Sequence, residues 1–310
     1  MFLALTFPID MQTVTSIGED ALVRRLTSDL PQDESVIAGP GDDCAVVVGP
    51  ANGRHLLMKT DSVVEHIHFL RETPARLVGR KAMARVVSDI AAMGGQPRHA
   101  LITLIVRRAT EVRFVDELYQ GIREIADPIG INIVGGETSR GDTTVVSISL
   151  LGDVSSARWA SRSGGKPGDA LFVTGCLGGS IKGKHLTFEP RLTEAQWLVK
   201  KFPVHAMMDI SDGLAKDLPR LAEASGLEFI IEESVIPCSS DCSTDQAWGD
   251  GEDYELLFAV SPKTAERLTR EWKDQFPDLL LTQIGHLVPI GSGVIPTFQN
   301  HGWDHFKRGA

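Results

Sequence analysis

The chain has 310 residues, 42% of them hydrophobic and 23% charged, which suits a soluble globular protein of two ordinary domains with real cores. Its net charge of −10, from 31 basic and 41 acidic residues, argues against a nucleic-acid-binding surface, where clustered Lys and Arg are expected. Cys44, Cys176, Cys238 and Cys242 form neither a disulfide framework nor a CxxC pair, so reduced thiols in a cytoplasm are expected. Met1 to Pro8 lacks a basic segment and leads to Asp10 too soon for a signal peptide. No apolar run approaches transmembrane length. The expectation is a cytoplasmic protein without a membrane partner.

In chain order, Ser16-Ile17-Gly18-Glu19 fits a capping box, and Leu22, Leu26 and Leu30 recur at helical spacing behind it. Gly39-Pro40-Gly41-Asp42-Asp43-Cys44-Ala45 forces a tight turn that carries two carboxylates ahead of a strand over 45–48. A second strand is expected near 55–60, fading into the polar stretch from Thr60 to Phe69. Thr73-Pro74 starts a long helix that ends at Gly94-Gly95, with Leu77, Ala84, Val87 and Ala91 as its buried stripe. Ser88-Asp89 falls in its last turns, where the macrodipole disfavours a carboxylate, and that marks Asp89 as a functional candidate. Strands over 98–107 and 131–134 flank a helix over 111–130, and a strand over 144–151 completes the first half.

The Gly, Pro and Lys content of Gly164-Gly165-Lys166-Pro167-Gly168 marks a boundary, and domains of 1–160 and 161–310 are expected. The second half restarts with a strand over 170–174 and helical stretches near 178–202. Met207-Met208-Asp209-Ile210-Ser211-Asp212-Gly213-Leu214 then leads into a helix ending near Ser225. A strand over 229–232, a loop from Pro237 to Gly251, a strand over 256–260, a helix over 262–275 and strands near 279–288 finish the chain. The fold class expected is α+β, with α/β layers over a doubly wound sheet.

One theme recurs: a carboxylate at the end of an apolar element, beside Gly or Ser/Thr. Asp42 and Asp43, Asp61, Asp89, Glu137, Asp209 and Asp212, and Glu252 and Asp253 all fit it. Mg²⁺ favours carboxylates and water and completes its shell with substrate phosphates, so the pattern predicts more than one Mg²⁺ and a polyanionic ligand. Gly178 to His185 imitates a P-loop but ends in His where a Ser or Thr is required, so a P-loop is rejected. Such a turn can still bind anions through its N–H groups. His66 and His68 share a face if their segment is extended, and zinc is the lesser reading of that pair.

Five ordered motifs together resemble the thiamine-monophosphate kinase family. They are Gly41-Asp42-Asp43-Cys44-Ala45, Thr60-Asp61 with Glu65 and His68-Phe69, Ser88-Asp89-Ile90-Ala91-Ala92-Met93-Gly94, Met208-Asp209-Ile210-Ser211-Asp212-Gly213-Leu214, and Gly251-Glu252-Asp253-Tyr254-Glu255-Leu256. The resemblance runs from about residue 16 to Gly302-Trp303-Asp304-His305-Phe306. It implies ATP-dependent, Mg²⁺-dependent phosphorylation of thiamine monophosphate to thiamine diphosphate. It also implies the two-domain fold shared with aminoimidazole ribonucleotide synthetase and selenophosphate synthetase, with N-terminal domains pairing in a homodimer.

By position, Asp43, Thr60, Asp61, Asp89, Glu137, Asp209 and Asp212 are implied as metal ligands, with Asp43, Asp61, Asp89 and Asp212 central to catalysis. Gly136, Glu137, Arg162 and Ser211 are implied to bind ATP. His68, Glu252 and Trp303, in preference to Phe306, are implied to contact the substrate. Phosphoryl transfer is catalysed mainly by positioning and charge neutralisation, and the acceptor is already a phosphate oxygen, so direct in-line transfer is expected. Three features depart from the family pattern: Glu137 stands for an Asp, Lys59 for a small hydroxyl residue, and the 183–207 segment is short. An ammonium at Lys59 can replace one cation's charge. Two other readings stay open: the same fold with another acceptor, and a nucleotide-binding protein without catalysis.

Overall fold

The computed structural model describes residues 13–50, 53–292 and 302–306, so the apolar start Met1 to Pro8 lies outside the described residues. The chain opens with α1 (Val14–Ile17) and α2 (Glu19–Thr27). A first sheet contains β1 (Val36–Ala38), β2 (Ala45–Val48), β3 (Arg54–Val64), β4 (Gln96–Val106), β5 (Asn132–Arg140) and β6 (Val145–Ser155), with α3 (Ala75–Ala92) and α4 (Val112–Ile129) between strands. A second contains β7 (Ala170–Thr174), β8 (Val204–Asp209), β9 (Glu228–Ile231), β10 (Leu256–Val260) and β11 (Leu281–Val288). Around it lie α5 (Lys184–Thr187), α6 (Leu192–Lys201), α7 (Leu214–Ala224), α8 (Thr244–Gly249) and α9 (Pro262–Gln275).

The first sheet has the order β1-β2-β3-β6-β4-β5 and the second β8-β10-β7-β11-β9. Apart from the parallel pair β4 and β5, the strand pairs of both sheets are antiparallel. The α+β class therefore holds, but the sheets are not doubly wound. Strands and helices do interleave in both halves, which is the pattern behind the doubly wound expectation, but the strands between them, β4 and β5 aside, pair antiparallel. Here antiparallel β7 and β10 are buried along their whole length. One face, with Phe172, Phe258 and Val260, joins the core of the first sheet through Ala195 and Leu198 of α6. The other, with Leu171, Val173, Met208 and Ala259, packs beneath Leu214, Leu218 and Leu221 of α7.

Among the described residues, the first sheet is covered on one side only. Val146, Ile148, Leu150 and Val154 alternate inward along β6 to meet α3, while Ser149 on the same strand is exposed. Three local expectations change. The first helix is broken at Gly18, whose φ is +76°, the capping box belongs to Thr13 and Ser16, and Leu26 and Leu30 are exposed. β3 does not fade at Thr60 but pairs with β6 as far as Val64. The loop from Pro237 to Gly251 contains α8, which the capping box of Ser243 and Gln246 announces.

α3 and α4 cross at two glycines. A Cβ on Gly79 would lie 1.9 Å from the Leu118 carbonyl oxygen, and one on Gly121 would lie 1.8 Å from that of Arg76. Neither backbone can yield without parting the helices. Gly79→Ala is expected to destabilise the protein by about 1–3 kcal/mol, the usual range for overpacking, read as a lowered thermal midpoint. An unchanged midpoint would mean that the helices separate freely.

Candidate active site

Three carboxylates converge from three elements. Asp43 follows the Gly39–Asp42 turn, Asp89 lies in the last turns of α3, and Asp209 ends β8; one oxygen from each lies within 4.8 Å of the others, and all three residues are buried. Each has a neighbour that offsets part of its desolvation. Arg162 Nη2 donates to Asp43 Oδ1 at 2.5 Å, Lys59 Nζ to Asp89 Oδ1 at 2.6 Å, and Ser88 Oγ to Asp209 Oδ2 at 2.6 Å. Burial, with Asp43 nearby, raises Asp209 to about 6, and burial pushes Asp89 well above the usual carboxylate range. Asp43 Oδ2 is buried without a hydrogen-bond partner. A bare carboxylate oxygen beside two other carboxylates is a donor set that suits a hard cation such as Mg²⁺.

The two turn carboxylates have separate tasks. Asp42 accepts hydrogen bonds from the backbone N–H groups of Asp43 at 3.0 Å and Arg162 at 3.1 Å, tying the turn to the segment after β6. Burial and the adjacent Asp43 raise it to about 6. Asp61 lies on β3 opposite the buried Ile148, hence on the α3 side, and accepts from Arg85 Nε at 3.0 Å. Arg85 was not recognised as a site residue from the sequence.

The loop after β8 is held from below by Asp217. Its Oδ2 accepts the N–H groups of Ser211 and Asp212, both at 2.9 Å. Asp212, just before α7, meets Arg220 Nη1 at 2.6 Å and Lys216 Nζ at 3.2 Å. The Asp212 carbonyl accepts the Trp303 N–H at 2.9 Å, and Lys216 Nζ donates to the Trp303 carbonyl at 2.6 Å. The segment 302–306 thus docks on the same loop, and the His305 ring lies 5.3 Å from that of His68. Asp217, Lys216 and Arg220 were also missed; an i, i+4 repeat of Asp212, Lys216 and Arg220 was the available signal.

Lys81 of α3 is fully buried, and sequence reasoning missed it because it sits among apolar residues. Its Nζ donates to the His68 carbonyl at 2.6 Å and to Glu252 Oε1 at 2.6 Å, and lies 2.8 Å from His185 Nδ1. Burial lowers Lys81 to about 8, against the pull of Glu252. Burial alone would raise Glu252, yet hydrogen bonds from His185 and Lys81 bring it down to about 2. Glu252 and Tyr254 have φ of +55° and +52°, a strained backbone of the kind kept at functional sites. His68 Nδ1 accepts the Val64 N–H at 3.0 Å, so Nε2 carries the remaining proton. Burial and Arg85 lower His68 to about 3, leaving it neutral near pH 7.

Other candidates lie apart. Thr60 is exposed, accepts from Ser149 Oγ at 3.2 Å, and points to the open face of the sheet, away from Asp61. Glu137 is exposed on β5 and pairs with Thr103, which through Ser147 and Ser62 places it on that same open face. Gly136 beside it has no room for a Cβ, which would meet the Ile102 carbonyl oxygen at 1.8 Å. The single chain therefore presents Thr60 and Glu137 on the opposite side of the sheet from Asp43, Asp89 and Asp209. His66 and His68 do not share a face: the segment turns at His66, φ +69°, whose side chain is exposed. The Gly178–Ser180 turn does bind anions, but they are the protein's own. Gly178 N–H donates to Asp253 at 2.9 Å and Gly179 N–H to Asp250 at 2.8 Å.

Glu252 generates a pH prediction. Its carboxyl is depressed on folding, so its stabilising effect is complete above its ordinary value of 4.5 and is lost as pH falls toward about 2. Glu252→Gln is expected to lower stability at pH 7 by on the order of 2 kcal/mol, with the gap to wild type closing below pH 4.5. Urea midpoints at pH 3 and pH 7 measure it; a gap independent of pH would refute the charge pairing.

The sequence matches AIR synthase related protein, N-terminal domain, over residues 41–154, and AIR synthase related protein, C-terminal domain, over residues 139–293. The thiamine-monophosphate kinase of Rhodopirellula baltica is 38% identical over 79% of this chain and 82% of its own length. That of Bacillus subtilis is 32% identical over 94% of this chain and 100% of its own. A solved structure of AaThiL complexed with AMPPCP and TMP superposes with a TM-score of 0.80 at 29% identity, covering 96% of this chain and 99% of that one. The chain belongs to the thiamine-monophosphate kinase family, on the two-domain fold of AIR synthase related proteins.

Proposed function

We propose that this protein phosphorylates thiamine monophosphate to thiamine diphosphate at the expense of ATP. The observation that carries the reading is the convergence of Asp43, Asp89 and Asp209 beside Arg162 in a chain whose relatives are thiamine-monophosphate kinases. A site that gathers carboxylates and a guanidinium group suits transfer between two phosphates.

In the proposed mechanism a terminal phosphate oxygen of thiamine monophosphate attacks the γ-phosphorus of ATP. The bond to the β,γ-bridging oxygen breaks, and ADP leaves. Mg²⁺ held by Asp43, Asp89 and Asp209, with Asp61 and Asp212 nearby, would offset phosphate charge. Arg162 and the Ser211 loop would orient ATP, with Arg162 releasing part of its hold on Asp43. Lys81 keeps Glu252 ionised toward the acceptor. Neutral His68 offers its Nε2 proton without adding charge, and Trp303 stands at the acceptor end. The division into 1–160 and 161–310 would let the C-terminal half close over the nucleotide. Cys44, Cys176, Cys238 and Cys242 are free thiols, and no helix among the described residues is long and apolar enough to cross a membrane; both facts are compatible with work in the cytoplasm.

Thr60, Gly136 and Glu137 enter this reading through a homodimer. The open face of the first sheet carries half-exposed Met58 and Leu101 beside Thr60 and Glu137, and pairing two such faces would bury them and set the ATP-binding strand β5 against the partner. Leu101→Lys is expected to convert a dimer to a monomer by light scattering; a monomeric wild-type protein would remove this part of the proposal. Purified protein with ATP, Mg²⁺ and thiamine monophosphate is expected to yield thiamine diphosphate by chromatography. No product with ATP binding intact would reject the kinase reading. Asp43→Asn and Asp212→Asn are each expected to lower turnover at least about 100-fold, the upper end of the scale for groups that serve a metal, in protein that remains folded by circular dichroism.

A further inference from the structure

We propose that Lys59 is a built-in cation that takes the place of one divalent ion in this site. The inference rests on the metal-dependent reading above and concerns how many ions the chain holds. β3 pairs Lys59 with the buried Leu150, which sends the side chain toward α3 and not to the open face. There Nζ donates to Asp89 Oδ1 at 2.6 Å. Asp89 is one of the three carboxylates that converge within 4.8 Å.

The three carboxylates are not equivalent. Asp209 has a neutral partner in Ser88, and Asp43 shares one oxygen with Arg162 while its other oxygen is buried and unpartnered. Asp89 alone in this trio is paired with an ammonium. A second ion on Asp89 Oδ1, at the roughly 2.1 Å of a Mg²⁺–oxygen bond, would sit within about 5 Å of that ammonium. The single negative charge of Asp89 would then be shared by two cations, whose repulsion it offsets only in part. Asp43 also carries a cation, Arg162 on its Oδ1, but its Oδ2 is buried with no partner and is left for an ion. Lys59 thus supplies one positive charge permanently on the Asp89 side and leaves a place for a divalent ion on the Asp43 side. A small hydroxyl side chain at position 59 would leave both places open.

The test counts ions. Mn²⁺ replaces Mg²⁺ in an electron paramagnetic resonance titration of the full-length chain with a non-hydrolysable ATP analogue. Lys59→Ser is expected to bind one Mn²⁺ per chain more than wild type, and Lys59→Arg, which keeps the charge, the same number as wild type. Lys59→Gln removes the charge at similar length and gives the same readout where the serine variant does not fold. Equal counts in wild type and the folded neutral variants would overturn the proposal, as would the absence of bound Mn²⁺ in every protein. A gain of one ion in a chain that makes no thiamine diphosphate would support the role of Lys59 while rejecting the kinase activity.

Discussion

A carboxylate removed from water must find a cation or several donors, or it gives up its charge. That constraint organises this molecule. Asp43 meets Arg162, Asp89 meets Lys59, Asp61 meets Arg85, Asp212 meets Arg220 and Lys216, and Glu252 meets Lys81. In nearly every case the two members come from different elements, so each strand or helix brings a charge that another must answer. The site is therefore not a decoration on a finished core. Its pairs set how β3, α3, β8 and α7 approach one another.

What the sequence disclosed follows from where the chemistry is local. The strands at 45–48, 170–174 and 256–260 and the helix at 262–275 are bounded by turn residues and by a proline at the first helical position, and the structure has them at those bounds. The acidic corners were visible for the same reason: Gly and Asp side by side announce a turn with a carboxylate on it. β3 was harder, because Lys59, Asp61 and Ser62 look like the end of a strand until α3 supplies Arg85 and Asp89 to receive them. The cations that answer the acids lie far away in sequence, and Lys81 among alanines and valines gives no hint of its burial.

The Gly178–Ser180 turn shows a different limit. Its glycines have the backbone freedom of a phosphate cradle, and the N–H groups do face anions, yet Asp253 and Asp250 already occupy them. Asp253 also accepts from Ser180 Oγ, and Glu255 is gripped by both ends of Arg191 at 2.7 Å. Of the three acids in Glu252-Asp253-Tyr254-Glu255, two anchor the loop, and only Glu252 is presented by its strained backbone to Lys81 and His185. Neighbouring residues of one chemical type thus divide into structural and functional members by what approaches them.

α3 gives this architecture a thermodynamic character. Its covered side includes Lys81, Ser88 and Asp89 among Val78, Met83, Val87 and Ile90, so the helix cannot rest on an apolar sheet alone. Lys81 needs Glu252, Ser88 needs Asp209, and the neighbouring Arg80 donates to the carbonyls of Thr187 and Phe188 at 3.0 Å. Those partners belong to the other half of the chain. Were the second sheet to unfold, α3 would be left with stranded polar groups on its covered side, so the halves stand or fall together despite having separate sheets. Unfolding is then a single cooperative event, and the contacts of α3 with the second half of the chain are the joint that makes it so.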